Sequence, residues 1–310
     1  VLAVYGSANM DVVAYVAKAP KRGETVTGRA FHTIPGGKGA NQAIAAARAG
    51  AEVAFLGAVG DDAFGVELRR TLAGAGISVE RVRTVPGPSG VAHIVVDDEA
   101  GNSIIVVPGA NGMLTGPDAA DRALLARADA LLLQLELPLE AVVAAARAAR
   151  EAGVRVVLTP APVVELPAEL LECVDLIVPN EHEAAGITGS ADPQDALSAL
   201  LDLVPEAVVT LGGRGAVYGS RAGTRLHEPA VPVRAVDTTA AGDTFVGALA
   251  VARAEGREPA EALRFASAAA SLAVRRHGAS TSMPHRHEID DVLSARLAGL
   301  NNRTEVKKEA

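Results

Sequence analysis

Val236-Asp237-Thr238-Thr239-Ala240-Ala241-Gly242-Asp243-Thr244-Phe245 is the stretch around which the rest of the chain is organised. A polar turn runs into three small residues and an acid, and the apolar Phe245, Val246, Ala248, Leu249, Ala250 and Val251 that follow read as a helix. Small residues ahead of a helix let backbone N–H groups approach a ligand closely. First-turn N–H groups have no intrahelical partner and stand at the positive end of the helix dipole, a combination that binds anions such as phosphate. One reading makes Ala240, Ala241 and Gly242 a backbone anion hole and Asp243 a general base beside it. The other makes the stretch a plain helix start, with Thr239 as cap and Asp243 complementing the dipole. The stretch alone leaves both open.

The pattern around it is repeated β-α alternation. Apolar strands are expected at 1–5, 53–59, 130–135, 154–158, 176–178 and 207–211, and helices at 43–49, 64–73, 118–126, 139–152, 241–254, 259–274 and 288–298. Residues 79–85 read as extended, and Val217, Leu226, Val231 and Val233 as antiparallel edge strands. Continuous apolar strands alternating with helices mean an α/β fold: a three-layer α/β/α core with a mostly parallel sheet. Two insertions differ. Residues 12–34 and 91–107 are rich in β-favouring residues around turns, the second at Asp97-Asp98-Glu99-Ala100-Gly101-Asn102. They are expected to form one small β-sheet, which reads as a lid and as a contact for a second subunit, or else as a β-decoration with no gating role. The core then comprises 1–11, 35–90 and 108–300, and the polar residues 301–310 are expected to fray.

Composition narrows the function classes. The chain has 310 residues, 49% hydrophobic, with net charge −8 and no basic block, so nucleic acid is not an expected partner. Local N–H groups can still bind an anion against that charge. The single cysteine, Cys173, excludes an internal disulfide, fits a reducing compartment and reads as a small buried hydrophobe. No apolar run is long enough to span a bilayer, and the first residues lack the basic region of a secretory signal, so a cytoplasmic location and no membrane partner are expected. Aromatic residues are only 3%, which argues against base-stacking platforms.

Polar clusters collect where strands end or helices begin: Asn9/Asp11, Gly37/Lys38/Asn41, Glu136, Asn180/Glu183, the loop 210–215 and 237–243. In open α/β sheets the carboxyl ends of strands carry the ligand site. Taken singly, Asn9 and Asp11 also fit an Asx turn, and the 35–42 run, which is neither a Walker A nor a G-x-G-x-x-G sequence, also fits a tight turn before a helix. Together they supply carboxylates and amides for hydroxyls, a glycine loop and an N–H anion hole beside an acid. Those are the parts of a small-molecule kinase, where catalysis is mostly positioning and charge stabilisation. His93, His182 and His277 have no paired nucleophile and read as surface or packing residues.

Gly36-Gly37-Lys38-Gly39-Ala40-Asn41-Gln42-Ala43 and Asp237-Thr238-Thr239-Ala240-Ala241-Gly242-Asp243-Thr244-Phe245 resemble, in order and separation, the two signatures of the ribokinase-like (PfkB) carbohydrate kinases. Gln134-Leu135-Glu136, Pro108-Gly109-Ala110-Asn111 and Pro179-Asn180-x-x-Glu183 add to the resemblance, which covers nearly the whole chain. It implies ATP-dependent phosphorylation of D-ribose at its 5-hydroxyl, with Asp243 as base and Ala240, Ala241 and Gly242 as anion hole. Asn9, Asp11, Gly37, Lys38, Asn41 and Glu136 would hold the sugar. Asn180, Thr210, Leu211, Gly212, Gly213, Arg214, Gly215, Gly242 and Ser267 would hold the nucleotide, and Glu183 would act through water on Mg²⁺. Asp237, Thr239, Ala273, Arg276, Gly278 and Ser282 would surround an activating K⁺, and the lid sheets would pair in a homodimer. Ala240 stands where the family often has Gly, Val246 where Asn is common, and Thr159 where Asn often precedes Pro-Ala-Pro. Other acceptors of the same family therefore stay open: 2-deoxyribose, fructose or a nucleoside. Outside the kinases, a non-catalytic sugar-binding protein would have no use for Asp243 or the anion hole, and a nucleotide-dependent dehydrogenase would need a glycine fingerprint that is absent.

Overall fold

The computed structural model describes residues 1–99 and 101–306, with side chains through 296. The chain runs β1 (Leu2–Tyr5), β2 (Asn9–Tyr15), β3 (Ala30–Gly36), α1 (Lys38–Arg48), β4 (Val53–Gly60), α2 (Ala63–Gly74), β5 (Val82–Val85), β6 (Gly90–Val96), β7 (Asn102–Val107), α3 (Ala119–Leu125), β8 (Ala130–Leu133) and α4 (Leu139–Glu151). It continues through β9 (Arg155–Leu158), α5 (Ala168–Leu171), β10 (Leu176–Ile177), α6 (Glu181–Thr188), α7 (Pro193–Leu203), β11 (Glu206–Thr210), β12 (Ala216–Ser220), β13 (Arg225–Glu228), α8 (Ala241–Ala254), α9 (Pro259–Ala273) and α10 (Arg286–Val306).

The main sheet has nine strands in the order β13-β12-β11-β10-β9-β8-β1-β4-β5, parallel except for the β11-β12-β13 edge. Its central strands are buried on both faces, and alternate residues feed two cores. Leu2, Val4 and Leu132 join the core under α1, α2, α8 and α9. Ala3, Tyr5, Leu131 and Leu133 join the core under α4 and α7. This is why the strands read as continuous apolar runs. Truncating a side chain such as Leu132, which has no exposed surface, would cost about 2–5 kcal/mol.

The topology positions the site. β1 pairs with β4 on one side and with β8 on the other, although the chain visits β2 to β7 before returning to β8. The β1/β8 boundary is therefore a switch point, where open sheets leave a crevice at the strand carboxyl ends. In register, Tyr5 lies beside Leu133 and Leu133 beside Leu158, so Gly6-Ser7, Gln134–Glu136 and Thr159 follow on one edge. The second sheet, order β3-β2-β6-β7, grows from that edge: Asn9 pairs with Gly36 and with Gly90 at its base. Its two edge strands expose Phe31 on β3 and Ile104, Ile105, Val106 and Val107 on β7.

The elements differ from the sequence expectation in three places. Helix α1 begins at Lys38, not at 43, because Gly37 takes φ 92° and serves as N-cap, turning the glycine run directly into helix. A Cβ on Gly39, the second helical residue, would stand 2.6 Å from Ser7 N, so this entry needs glycine. Val231 and Val233 lie in an irregular segment, since Pro229 and Pro232 remove ladder donors. Finally, α10 continues through Val306 where fraying is expected from 301: polarity alone suggested the end, and no proline stops the helix. Residues 307–310 of that expected tail, and Ala100 of the expected 97–102 turn, lie outside the described residues.

Candidate active site

Asp243 sits in the first turn of α8, buried, with both carboxylate oxygens occupied from α1. Gln42 Nε2 donates to Oδ1 at 3.1 Å and Asn41 Nδ2 to Oδ2 at 3.2 Å. The plain-helix reading put a cap at Thr239. Instead the N-cap is Ala240, in the left-handed region at φ 55°, without a side-chain cap bond. A non-glycine residue there is strained. The Thr239 N–H is taken by Asp237 Oδ1 at 2.9 Å, and the Ala241 N–H donates to Thr238 O at 3.2 Å. Among the described residues, the N–H groups left unpaired in this turn are those of Ala240, Gly242 and Asp243, and nothing lies within 4 Å of where a Gly242 Cβ would be. Of the three N–H groups expected to form the anion hole, those of Ala240 and Gly242 are unpaired, while that of Ala241 closes the preceding turn.

The expected sugar-holding residues come together on the α1 side. Glu136, just past β8, accepts from Ser7 Oγ at 2.6 Å and from the Lys38 N–H at 2.9 Å, tying the switch point to the start of α1. Asn9 Oδ1 accepts from Asn111 Nδ2 at 2.7 Å. Gly37 backs onto this pair: a Cβ there would meet Asn9 N at 2.8 Å. Asp11 lies against Gly36, where a Cβ would come within 2.5 Å of its carboxylate. Burial, with Glu136 adding, pushes the Asp11 carboxyl up to about 7 despite Lys38. Burial also pushes Asp243 up to about 6, against the pull of Lys38, Gln42 and Asn41. Burial works against the Lys38 charge, but Asp243, Glu136, Glu183 and Asp11 outweigh it and raise its pKa.

On the other side of the α8 N-terminus lies a cleft of ≈ 310 Å³. Thr210, Gly212, Gly213, Gly215, Gly242 and Ser267 line it, as expected of a nucleotide site. The rest of its wall, including Val231, Val233, Ala270 and Val274, is apolar and carried no sequence signal. Four expected residues, Asn180, Glu183, Leu211 and Arg214, do not line it. Leu211 is buried in the α4/α7 core, and Arg214 pairs with Glu181 instead of turning inward. Asn180 and Glu183 cap α6 reciprocally, at 2.9 Å in each direction, and burial raises the Glu183 carboxyl.

A family model described as pfkB family carbohydrate kinase matches residues 1–286. The chain belongs to this family. A ribokinase of Bacillus subtilis (strain 168) is 42% identical to this pfkB-family kinase over 296 residues, covering 94% of the chain and 99% of the relative. A ribokinase of Haemophilus influenzae is 43% identical over 300 residues, covering 94% and 98%. The structure of Arabidopsis thaliana ribokinase complexed with ribose and ATP superposes with TM-score 0.90 at 36% identity, covering 94% of this chain and 98% of that one.

The expected cation loop of this kinase is only partly assembled by side chains. Asp237 accepts from the Thr239 N–H and the Gly278 N–H at 2.9 Å each, and its own N–H donates to Val274 O at 3.2 Å. Burial of Asp237 is outweighed by those donors, so its carboxyl lies below the usual range. Arg276 is paired with Glu288, and Ser282 Oγ donates to Ala279 O at 2.8 Å. Arg276 could serve a cation only through its carbonyl. Sequence reasoning assigned no role to Ser7, Gln42, Asn111, Gln134 or Thr159, all buried polar residues that touch the site. A polar residue inside an apolar pattern was the available signal.

Proposed function

We propose that this chain transfers the γ-phosphoryl group of ATP to the 5-hydroxyl of D-ribose, giving ribose 5-phosphate. One observation carries the reading. A buried carboxylate raised toward neutrality stands in the same turn as the free Ala240, Gly242 and Asp243 N–H groups, between a polar pocket and an apolar cleft. The ribose-and-ATP complex of the Arabidopsis relative supports the choice of both substrates. Asn41 Oδ1 supports a hydroxyl ligand, since it is buried without a partner beside Asp243. Asn9, Asp11, Lys38 and Glu136 hold the sugar, and the 210–215 loop, Ser267 and the apolar wall hold the nucleotide. Asp243 accepts the hydroxyl proton late, as the phosphoryl group arrives, because a carboxylate is a far weaker base than an alkoxide. The Gly242 and Asp243 N–H groups receive the charge that develops on the phosphoryl oxygens.

The donor set fits the two cations of the proposal. Among the described residues no cluster of three acidic, His or Cys ligands exists, which suits a Mg²⁺ carried by phosphates and water near Glu183. A K⁺ would be held by the Asp237 carboxylate and by carbonyls of the 273–282 loop, an oxygen-only set. When bound, Mg²⁺ neutralises phosphate charge and K⁺ stiffens the loop that presents the N–H groups.

The lid and the homodimer belong to the same proposal. Ile105 is 67% exposed and Phe31 61%, on the two edge strands of this sheet. A patch of this kind is normally covered, and a second copy of the sheet is the proposed cover. Cys173, free and buried, supports a reducing, cytoplasmic setting, and no helix among the described residues is long and apolar enough to cross a membrane. The test is ADP release with ribose, 2-deoxyribose, fructose and adenosine as acceptors, in K⁺ and in Na⁺. Ribose-dependent turnover that falls in Na⁺ is expected. Turnover on another acceptor alone would reassign Asn9, Asp11, Lys38 and Glu136, and sugar binding without turnover would make the chain a binding protein.

A further inference from the structure

Gln42 is fully buried and uses every polar hydrogen and its carbonyl. Its Nε2 donates to Asp243 Oδ1 and to Thr159 Oγ1, each at 3.1 Å, and its Oε1 accepts from Gln134 Nε2 at 2.6 Å. The direction of this chain of bonds is forced. An ionised carboxylate only accepts, so Gln42 must turn its N–H₂ toward Asp243 and its carbonyl toward Gln134. Gln134 must then present its own N–H₂, which leaves Gln134 Oε1 buried without a partner. That oxygen is seated against residue 6, where any Cβ would collide with it, so Gly6 is part of the same arrangement. An unpaired buried carbonyl has a cost, and it is tolerated where it fixes the orientation of the amide ahead of it.

We propose that Gln42, aligned by Gln134 and Thr159, is a positioning residue that holds the Asp243 carboxylate by Oδ1 and so aims Oδ2 at the acceptor hydroxyl. The inference rests on Asp243 being the base. Gln42 comes from α1, Gln134 from the end of β8 and Thr159 from the end of β9, so three elements set the direction of a fourth, α8. The other charged groups facing Asp243 are Lys38 on α1, Glu136 after β8 and Asp11 on β2. None of these makes a hydrogen bond to its carboxylate; besides Gln42, only Asn41 does. Asn41 also offers its free carbonyl to the sugar, so Gln42 alone holds the carboxylate without a part in binding.

The test compares Gln42→Met, Gln134→Met and Thr159→Val with Asp243→Asn and the unaltered enzyme. It reads kcat, the KM values for ribose and ATP, the pH profile of kcat and the melting temperature. Gln42→Met is expected to lose roughly 10–100-fold in kcat with both KM values nearly unchanged. Its acidic limb moves to higher pH, because a bond that favours the ionised form is gone. Gln134→Met and Thr159→Val move the same two readouts by less, and they carry the test if Gln42→Met does not fold. A merely structural role would lower kcat in step with melting temperature, or raise KM, without moving the limb, and either result overturns the proposal. If Asp243→Asn is inactive while the three other variants keep kcat and limb, the positioning role falls and the base stands. If Asp243→Asn keeps its turnover, the base assignment falls and this inference with it.

Discussion

The two sides of Asp243 are built by opposite means. Toward α1 the protein gathers Ser7, Asn9, Asp11, Lys38, Asn41 and Glu136 into a polar pocket braced by directional hydrogen bonds, with Asn41 Oδ1 left unpaired. Toward the 230–235 segment and α9 it leaves an open apolar cleft with glycines and two serines at its edge. The difference follows from the ligands. A sugar is recognised by directional hydrogen bonds, and a site built for a hydroxyl rejects the analogue that lacks it. A nucleotide is recognised by phosphate contacts to backbone N–H groups and by shape around the base, which generic apolar residues provide. The α8 N-terminus belongs to both sides, and the proposed transfer is placed there.

Several variants would break or sharpen this contrast. The largest effect is expected at the shared point: Asp243→Asn should lower kcat by roughly 10²–10⁴-fold with both KM values nearly kept, measured by coupled ADP release. Next, the sides should separate in KM. Glu136→Gln is expected to raise the KM for ribose about tenfold and leave that for ATP alone, because it weakens the bonds to Ser7 and the Lys38 N–H. Ala270→Phe, which fills the cleft, should do the reverse. If either variant moves both constants together, the division into two sides is wrong.

The pH dependence is a smaller effect and has a definite sign. With Asp243 at about 6, the active ionised form is lost as pH falls, so kcat should drop below about pH 6. Stability should move the other way at Asp11. Its folded pKa, about 7, lies above its unfolded value, so the folded state holds the proton more tightly and ionisation destabilises the fold as pH rises through that range. Asp11→Asn is therefore expected to stabilise the protein by on the order of 2 kcal/mol at pH 8. Urea melts should show the gain shrink toward pH 5. An equal gain at both pH values would mean that the carboxylate is not strained in the empty pocket.

The same contrast explains what was legible in the sequence. Asp243, Asn41, Lys38 and Glu136 announce themselves because charged or amide residues interrupt apolar patterns at strand ends, and the parallel sheet gathers those ends on one edge. The β1/β8 switch point follows from strand order, which the alternation of elements alone does not reveal. The apolar wall of the cleft was not legible, since Val231, Ala270 and Val274 look like any other core residue until the fold leaves them uncovered. Gln42 was hidden for a different reason. Its role depends on Gln134 and Thr159, 92 and 117 residues away, and no local pattern reports a partner at that distance. The start of α1 and the N-cap of α8 turned on backbone angles at Gly37 and Ala240, which residue types constrain only loosely.

Asp243 is proposed to take the proton of the ribose 5-hydroxyl as that oxygen attacks the γ-phosphate of ATP. The most direct measurement is the ³¹P spectrum of the product formed from ATP and ribose, with Asp243→Asn run alongside and 5-deoxyribose as a second acceptor. The account predicts a phosphomonoester on carbon 5 of ribose, none on 5-deoxyribose, and almost none from Asp243→Asn on the same timescale. Phosphate on another oxygen, or equal product from Asp243→Asn, would contradict it.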